Sequence, residues 1–89
     1  MAICRIYEVE GGTLEQYDEV NAKFPEMPVG ARLHVAGAAN GRLYVVEIWE
    51  SAAQADEYME SGVGEAIGEA GVPEAKVTEF EVHNLTDGA

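Results

Sequence analysis

The stretch Arg32-Leu-His-Val-Ala-Gly-Ala-Ala-Asn-Gly-Arg-Leu-Tyr-Val-Val-Glu-Ile-Trp-Glu-Ser51 predicts a β-hairpin that runs directly into a helix. Its turn is Asn40-Gly41, because a tight primed turn needs positive φ at both central residues, and Asn and Gly adopt positive φ at the least cost. The residues on either side of this turn are therefore the two strands.

The turn decides which residues lie opposite one another. With a two-residue loop, the expected cross-strand pairs are His34 with Glu47, Arg32 with Trp49, and Ala36 with Val45. These side chains share one face of the sheet, since side chains alternate along a strand and opposed residues point the same way. A three-residue loop would shift the register by one residue and separate His34 from Glu47.

The flanking segments predict a strand over 2–10, two helices, and a last strand over 76–85. Each helix opens with a capping-box pattern, and Gly62 and Gly64 interrupt the second helix, which continues over 65–70. The capping pairs are Thr13 with Gln16 and Ser51 with Gln54. The inward stripes are Leu14, Tyr17, Val20 and Phe24 in the first helix, and Ala52, Ala55, Tyr58, Met59 and Gly62 in the second.

The resulting β-α-β-β-α-β order predicts an α+β fold, a ferredoxin-like subunit with an antiparallel four-stranded sheet. Two helices cover only one face of that sheet, yet the third strand, over 43–49, is apolar on both faces, which is typical of strands buried on both sides. We therefore expect a homodimer in which a second copy covers the other face, sheet against sheet. Tyr44 would lie on that face with Val46 and Ile48.

Length and charge narrow the class of protein. The 89 residues predict a single domain over 1–89 that is marginally stable alone. Seventeen acidic residues against five basic ones give a net charge of -12, which argues against nucleic-acid and anionic-membrane partners. No apolar run is long enough for a membrane span, and the N-terminal residues lack signal-peptide features, so we expect a cytoplasmic protein. The single cysteine, Cys4, is interpreted as a buried apolar residue.

The segments Val45-Val46-Glu47-Ile48-Trp49-Glu50-Ser51 and Thr78-Glu79-Phe80-Glu81-Val82-His83 resemble the antibiotic-biosynthesis-monooxygenase-like domains of the dimeric α+β barrel superfamily. The resemblance implies a barrel of two sheets across a dimer, with a small-molecule pocket between the sheet and the helices of each subunit. It also implies one of several activities: cofactor-independent oxygenation of polycyclic phenols and quinone precursors, oxidative haem breakdown, or lactone isomerisation. Many members have no known activity.

The resemblance carries over to individual residues only in part. Haem-degrading members use an Asn on the first strand and a His on the second helix, and this chain has neither. Cofactor-independent oxygenases place a pocket Trp near the end of the third strand, with Asn, Arg and Tyr around it. Trp49 matches that Trp, Glu47 stands on the strand where an Asn would be expected, and Arg32 and the tyrosines are loose analogues.

His34 and Glu47 are the candidate catalytic pair. The Glu47 carboxylate would orient the imidazole and favour its protonated form, and His34 could then take a proton from a phenol or an activated carbon acid. The alternative is a polar cross-strand pair that only stabilises the sheet. Trp49 would form a stacking wall for a flat aromatic ligand, or it would simply be core.

The remaining candidates would bind the ligand. Tyr17 and Tyr58 could bring phenol hydroxyls to it or belong to the core. Arg32 could lie on the face of Trp49, bind an acidic group, or be a solvated rim charge. His83 could close the pocket or contact the partner subunit. The spacing of the two histidines is not a metal signature, and no phosphate-binding loop is present, so we expect no metal and no cofactor.

These patterns predict a small-molecule enzyme or binding protein that resembles cofactor-independent monooxygenases and acts on flat phenolic or quinone-like compounds. His34 and Glu47 would be catalytic, and Trp49, Tyr17, Tyr58 and Arg32 would bind the substrate. The alternative is a non-catalytic ligand-binding or structural homodimer.

Overall fold

A computed structural model describes residues 1–86 of the chain, and the elements in this range follow the predicted order. The strands are β1 (Ile3–Glu10), β2 (Ala31–Ala39), β3 (Arg42–Trp49) and β4 (Lys76–Glu81). The helices are α1 (Leu14–Asn21), α2 (Ala52–Tyr58) and α3 (Gly64–Glu69), and a kinked turn over Met59–Val63 joins α2 to α3. The four strands form one antiparallel sheet in the order β2-β3-β1-β4. The predicted ferredoxin-like α+β subunit is confirmed, although β1 begins at Ile3 rather than Ala2 and β4 ends at Glu81 rather than Leu85.

The Asn40-Gly41 turn has the predicted geometry, with φ of 54° at Asn40 and 76° at Gly41. Both angles lie in the left-handed region that a primed hairpin turn requires. The register that follows from the turn pairs His34 with Glu47 and Ala36 with Val45, as predicted.

The predicted pairing of Arg32 with Trp49 is wrong. Trp49 pairs with Ala31, and the register shifts before Leu33, so Arg32 is the extra residue of a β-bulge. The bulge is needed because the two ends of the hairpin are held in registers that differ by one residue. The turn fixes one end of the hairpin, and the Glu50 N–H fixes the other by donating to the Gly30 carbonyl at 2.8 Å.

The start of α1 is the predicted capping box. The Gln16 N–H donates to Thr13 Oγ1 at 3.1 Å, and the Thr13 N–H donates to Gln16 Oε1 at 3.0 Å. The inward stripe is wrong at Leu14, whose side chain is 50% exposed in the first turn. The helix stops at Asn21, before Phe24, but the Phe24 ring still points inward and packs edge-on against Tyr58, with 6.1 Å between ring centroids.

The second helical region departs from the prediction in its cap. The Gln54 N–H donates to Ser51 Oγ at 3.3 Å, but the Gln54 side chain accepts from the Ser51 hydroxyl instead of from its backbone N–H, so the capping box is incomplete. The predicted interruption is confirmed: Gly62 has a φ of 119°, which breaks the helical backbone between α2 and α3. A left-handed angle of this kind favours glycine.

The two faces of the sheet have different environments. The face that carries Trp49 is packed against the helices, where Trp49 is 2% exposed and contacts Ala55 and Tyr58. The register places Tyr44, Val46 and Ile48 on the opposite face, as predicted. We call that opposite face the outer face. It also carries three large apolar side chains that are 39–50% exposed: Leu33, Val35 and Phe80.

Candidate functional site

His34 and Glu47 face each other across the hairpin, with 3.2 Å between His34 Nδ1 and Glu47 Oε2. Glu47 is buried, at 7% exposure. Its other carboxylate oxygen accepts from the Trp49 indole N–H, with Nε1 and Oε1 3.1 Å apart. This second bond follows from the strand itself, since residues two apart point to the same face. The carboxylate is therefore oriented from both sides.

Tyr17 extends this hydrogen-bonded chain from α1 to the sheet. Its hydroxyl lies 2.7 Å from His34 Nε2, and the two rings are 5.8 Å apart. Both nitrogens of the imidazole are thus engaged. In the neutral form the Nδ1–H donates to Glu47 and Nε2 accepts from Tyr17, whereas in the protonated form both nitrogens donate.

A cavity of about 360 Å³ lies between the sheet and the helices, beside this chain. Strands β1 and β3 form its floor, and α1, the kinked turn, α3 and the segment before β4 form its walls. Tyr7, Tyr17, Tyr58 and His34 contribute polar atoms to a lining that is otherwise largely aliphatic, with Val45, Met59 and Ile67 among its members. Such a cavity suits an apolar ligand that carries a few hydrogen-bonding groups.

A smaller cavity of about 170 Å³ adjoins the first. Trp49 and the loop between α1 and β2, including Pro25, Met27 and Pro28, form its outer part. Five residues line both cavities: Asn21, Phe24, His34, Glu47 and Tyr58. The His34–Glu47 pair therefore lies at the junction between the two spaces.

The tyrosines around the larger cavity are held in their protonated form. Burial raises the pKa of Tyr17, and the negative charge of Glu47 raises it further. The same two causes, in the same order, raise the pKa of Tyr58 and of Tyr7. The negative charge of Glu47 thus acts on all three phenols, and they remain available as neutral hydrogen-bonding groups.

The structure brings together five of the six predicted site residues. His34, Glu47, Trp49, Tyr17 and Tyr58 all line one or both cavities, and the Trp49 and Tyr58 rings are 5.5 Å apart.

Arg32 is set apart from this group. It is exposed in the β-bulge, and it lines neither cavity. His83 is exposed beyond the end of β4 and also lines neither cavity. Neither position supports a contact with a ligand in these spaces.

Two residues of the site were missed in the sequence analysis. Tyr7 lies opposite Val45 on the floor of the larger cavity, and Asn21 lines both cavities. The alternation of β1 with Val9 could have indicated Tyr7. Asn21 is four residues after Tyr17, which places it one helical turn further along the same face.

Arg5 lies opposite Glu47 in the register, but its guanidinium points elsewhere. Its Nε donates to Glu79 Oε1 at 2.7 Å and its Nη2 to Asp56 Oδ1 at 2.8 Å, and its side chain is only 14% exposed. Arg5 therefore ties α2 and β4 to the centre of the sheet. Among the basic side chains, His34 is the one that contacts Glu47 within the described range.

Within residues 1–86, no three His, Cys, Asp or Glu side chains converge in a way that could hold a metal ion. No helix in the same range is long and apolar enough to cross a membrane.

Neither a protein-family model nor a curated protein matches the chain. Solved structures do resemble it. A protein from Chloroflexus aurantiacus, provisionally named an antibiotic biosynthesis monooxygenase, is 15% identical with a TM-score of 0.72, and the alignment covers 98% of each chain. The cofactor-independent oxygenase SnoaB from Streptomyces nogalater is 12% identical with a TM-score of 0.67, over 94% of each chain. Rv0793 from Mycobacterium tuberculosis is 14% identical with a TM-score of 0.76, over 98% of this chain and 100% of its own. The chain thus has the fold of the antibiotic-biosynthesis-monooxygenase-like proteins.

Proposed function

We propose that the protein binds a flat phenolic or quinone-like compound in the larger cavity and oxygenates it without a cofactor. The observation that carries this proposal is the hydrogen-bonded chain Tyr17–His34–Glu47, which opens on an apolar cavity. The fold shared with SnoaB, a cofactor-independent oxygenase, supports the same class of reaction.

The first step is removal of a proton from the ligand hydroxyl. Because Tyr17 occupies His34 Nε2, the proton travels through the Tyr17 hydroxyl, which gives its own hydrogen to His34 as it receives that of the ligand. Glu47 then stabilises the imidazolium across the 3.2 Å contact. Positioned proton transfer of this kind typically contributes 10²–10⁴-fold to a rate.

Dioxygen is the oxidant. The deprotonated, electron-rich ring transfers electrons to O₂ and forms a bond to one oxygen atom. The other oxygen atom leaves as water, with the protons that His34 and the ring carbon release, so that a phenol and O₂ become a quinone and H₂O. Trp49 and the loop from Pro25 to Pro28 line the adjoining smaller cavity, which would receive the smaller reactant.

The test combines calorimetric titration with oxygen uptake, using naphthols, anthrones and naphthoquinones. We expect at least one hydroxylated member to bind saturably and to consume oxygen. His34→Ala should lose the oxygen uptake, whereas His83→Ala, which removes an exposed histidine away from both cavities, should keep it. An equal loss in both variants, or no binding by any member, would contradict the proposal.

A second candidate is a ligand-binding or structural homodimer without catalysis. Two observations favour it: both nitrogens of His34 are already hydrogen-bonded, and Trp49 is 2% exposed, as a core residue would be. The same experiment separates the two candidates, since a binding protein would take up the ligand without oxygen consumption or product.

We also propose that two copies of the chain form a homodimer through the outer face. Leu33, Val35 and Phe80 are partly exposed there, beside the apolar residues Ile6 and Val46. A second sheet laid against this face would remove these side chains from water, and such burial contributes about 25 cal/mol per Å² of apolar surface.

A further inference from the structure

We infer that the larger cavity selects ligands by charge: it accepts flat aromatic hydroxy compounds that are uncharged at neutral pH, and it excludes those that carry a fixed negative charge such as a carboxylate. This inference rests on the proposed function in one respect, namely that a flat aromatic compound binds in this cavity. It adds the charge class of that compound.

Two carboxyl side chains, Glu47 and Glu74, line the cavity. Glu47 is buried at the junction with the smaller cavity, where it contacts His34 and Trp49. Glu74 is exposed and lines the cavity near Pro73, on the segment that precedes β4. A ligand carboxylate in this space would therefore have two carboxylates among its neighbours.

Within residues 1–86 no lysine or arginine lines the cavity, and the chain's five lysines and arginines all lie elsewhere in that range. Arg5 is bound by Asp56 and Glu79, and Lys23 Nζ lies 3.3 Å from Glu69 Oε2. Arg32 is exposed in the bulge, and the register places Arg42 and Lys76 on the outer face, opposite Glu10 and Glu8.

A ligand carboxylate that enters this cavity would lose hydration free energy, and no lysine or arginine of the lining would offset the loss. An ionised carboxylate that enters an apolar space loses its hydration, and only an opposite charge or several hydrogen bonds can offset that loss. The donors that remain are the Tyr7 and Tyr58 hydroxyls and the Asn21 amide, because the Tyr17 hydroxyl donates to His34 and both nitrogens of His34 are engaged. The field of Glu47, which already raises the pKa of all three tyrosines, opposes a second negative charge in the same space.

A phenol avoids this penalty because it enters neutral. When its proton has passed through Tyr17 to His34, the imidazolium contacts Glu47 directly and faces the new phenolate across the Tyr17 hydroxyl, so one cation serves both negative charges. One phenolate can be balanced in this way. A ligand that brings its own carboxylate adds a negative charge for which the cavity has no partner.

Three ligands with one ring system test the inference by calorimetry at pH 7: 2-naphthol, 6-hydroxy-2-naphthamide and 6-hydroxy-2-naphthoate. The amide and the carboxylate have nearly the same size and shape and differ in charge. We expect the naphthol and the amide to bind saturably and the carboxylate to bind at least tenfold more weakly than the amide. Equal or tighter binding of the carboxylate would overturn the charge inference and leave the proposed function intact. No binding by any of the three would contradict both.

A matched pair of variants distinguishes the effect of a charge in the cavity lining from the effect of the chain's net charge. Glu74→Lys places a cation at the cavity. It should reduce the ratio of the association constant of the amide to that of the carboxylate by threefold or more. Glu65→Lys makes the same change of charge at an exposed position of α3 that lines neither cavity, and it should leave the ratio at its wild-type value. An equal effect of both variants would show that long-range attraction decides the selectivity, and would overturn the assignment to the cavity.

Discussion

The Trp49 indole N–H donates to the same Glu47 carboxylate that holds the His34 imidazole, with 3.1 Å between Trp49 Nε1 and Glu47 Oε1. A buried carboxylate needs such partners, because an ionised group without them is strongly disfavoured inside a protein. Trp49 therefore belongs to both the core and the site. It fills the core at the end of β3, and it also orients Glu47, which in turn orients His34, the candidate base.

Glu47→Ala should destabilise the protein by about 2–3 kcal/mol, because it leaves the buried Trp49 N–H without an acceptor and opens a small cavity. Glu47→Gln should cost only about 1 kcal/mol, since its amide oxygen can still accept from Trp49. Urea unfolding followed by Trp49 fluorescence measures both values. Similar losses in the two variants would mean that the charge, and not the hydrogen bond to Trp49, stabilises this part of the core.

Tyr17→Phe should lower oxygen uptake by about 10²-fold or more, because it removes the hydroxyl that links the ligand to His34. Ligand affinity should change by much less. Tyr44→Phe, which removes a hydroxyl from the outer face, is the matched control and should retain the wild-type rate. Wild-type turnover in Tyr17→Phe would show that His34 takes the proton directly from the ligand.

The free energy of unfolding should fall as the pH rises above about 10. The pKa values of Tyr7, Tyr17 and Tyr58 are raised in the folded protein above the ordinary value of 10.0, first by burial and then by Glu47. A group with a raised folded pKa contributes its full stabilisation below the unfolded value and loses it as the pH passes the folded value. Urea unfolding between pH 8 and pH 11, with tyrosinate absorbance in parallel, tests this expectation. Constant stability across that range would contradict it.

Gly41→Ala should destabilise the protein by about 1 kcal/mol. The φ of Gly41 is 76°, which an alanine adopts only with strain, and the added methyl group would meet no other atom within 4 Å. Gly68→Ala in α3 also meets no atom within 4 Å but has an ordinary helical backbone, so it should stabilise by about 0.5 kcal/mol. A neutral Gly41→Ala would mean that the turn does not fix the hairpin register.

The parts of the structure that the sequence predicts are those set by neighbouring residues. Asn40 and Gly41 determine the turn, and the turn determines that His34 faces Glu47. The bulge at Arg32 could not be foreseen, because it depends on a hydrogen bond between Gly30 and Glu50, which only the folded hairpin brings together.

The same reason limits prediction of the site. The pairing of His34 with Glu47 is local to the hairpin, whereas the bond from Tyr17 to His34 depends on how α1 lies across the sheet. Helical spacing indicates that Tyr17 points inward, but not which atom it meets. The kinked turn over Met59–Val63, which shapes one wall of the larger cavity, is likewise a consequence of packing that the glycine at 62 permits but does not specify.

Val35→Asp should weaken the proposed homodimer at least tenfold, because it places a charge where a second sheet would otherwise exclude water. Val35 is 50% exposed on the outer face, so the substitution is tolerated in the single chain. Leu14→Asp is the matched control: Leu14 is also 50% exposed, but it lies in the first turn of α1, away from the outer face. Sedimentation at micromolar concentration should show dimers for the wild type and for Leu14→Asp, and monomers for Val35→Asp. A monomeric wild type, or equal dissociation of both variants, would mean that the outer face is not the interface.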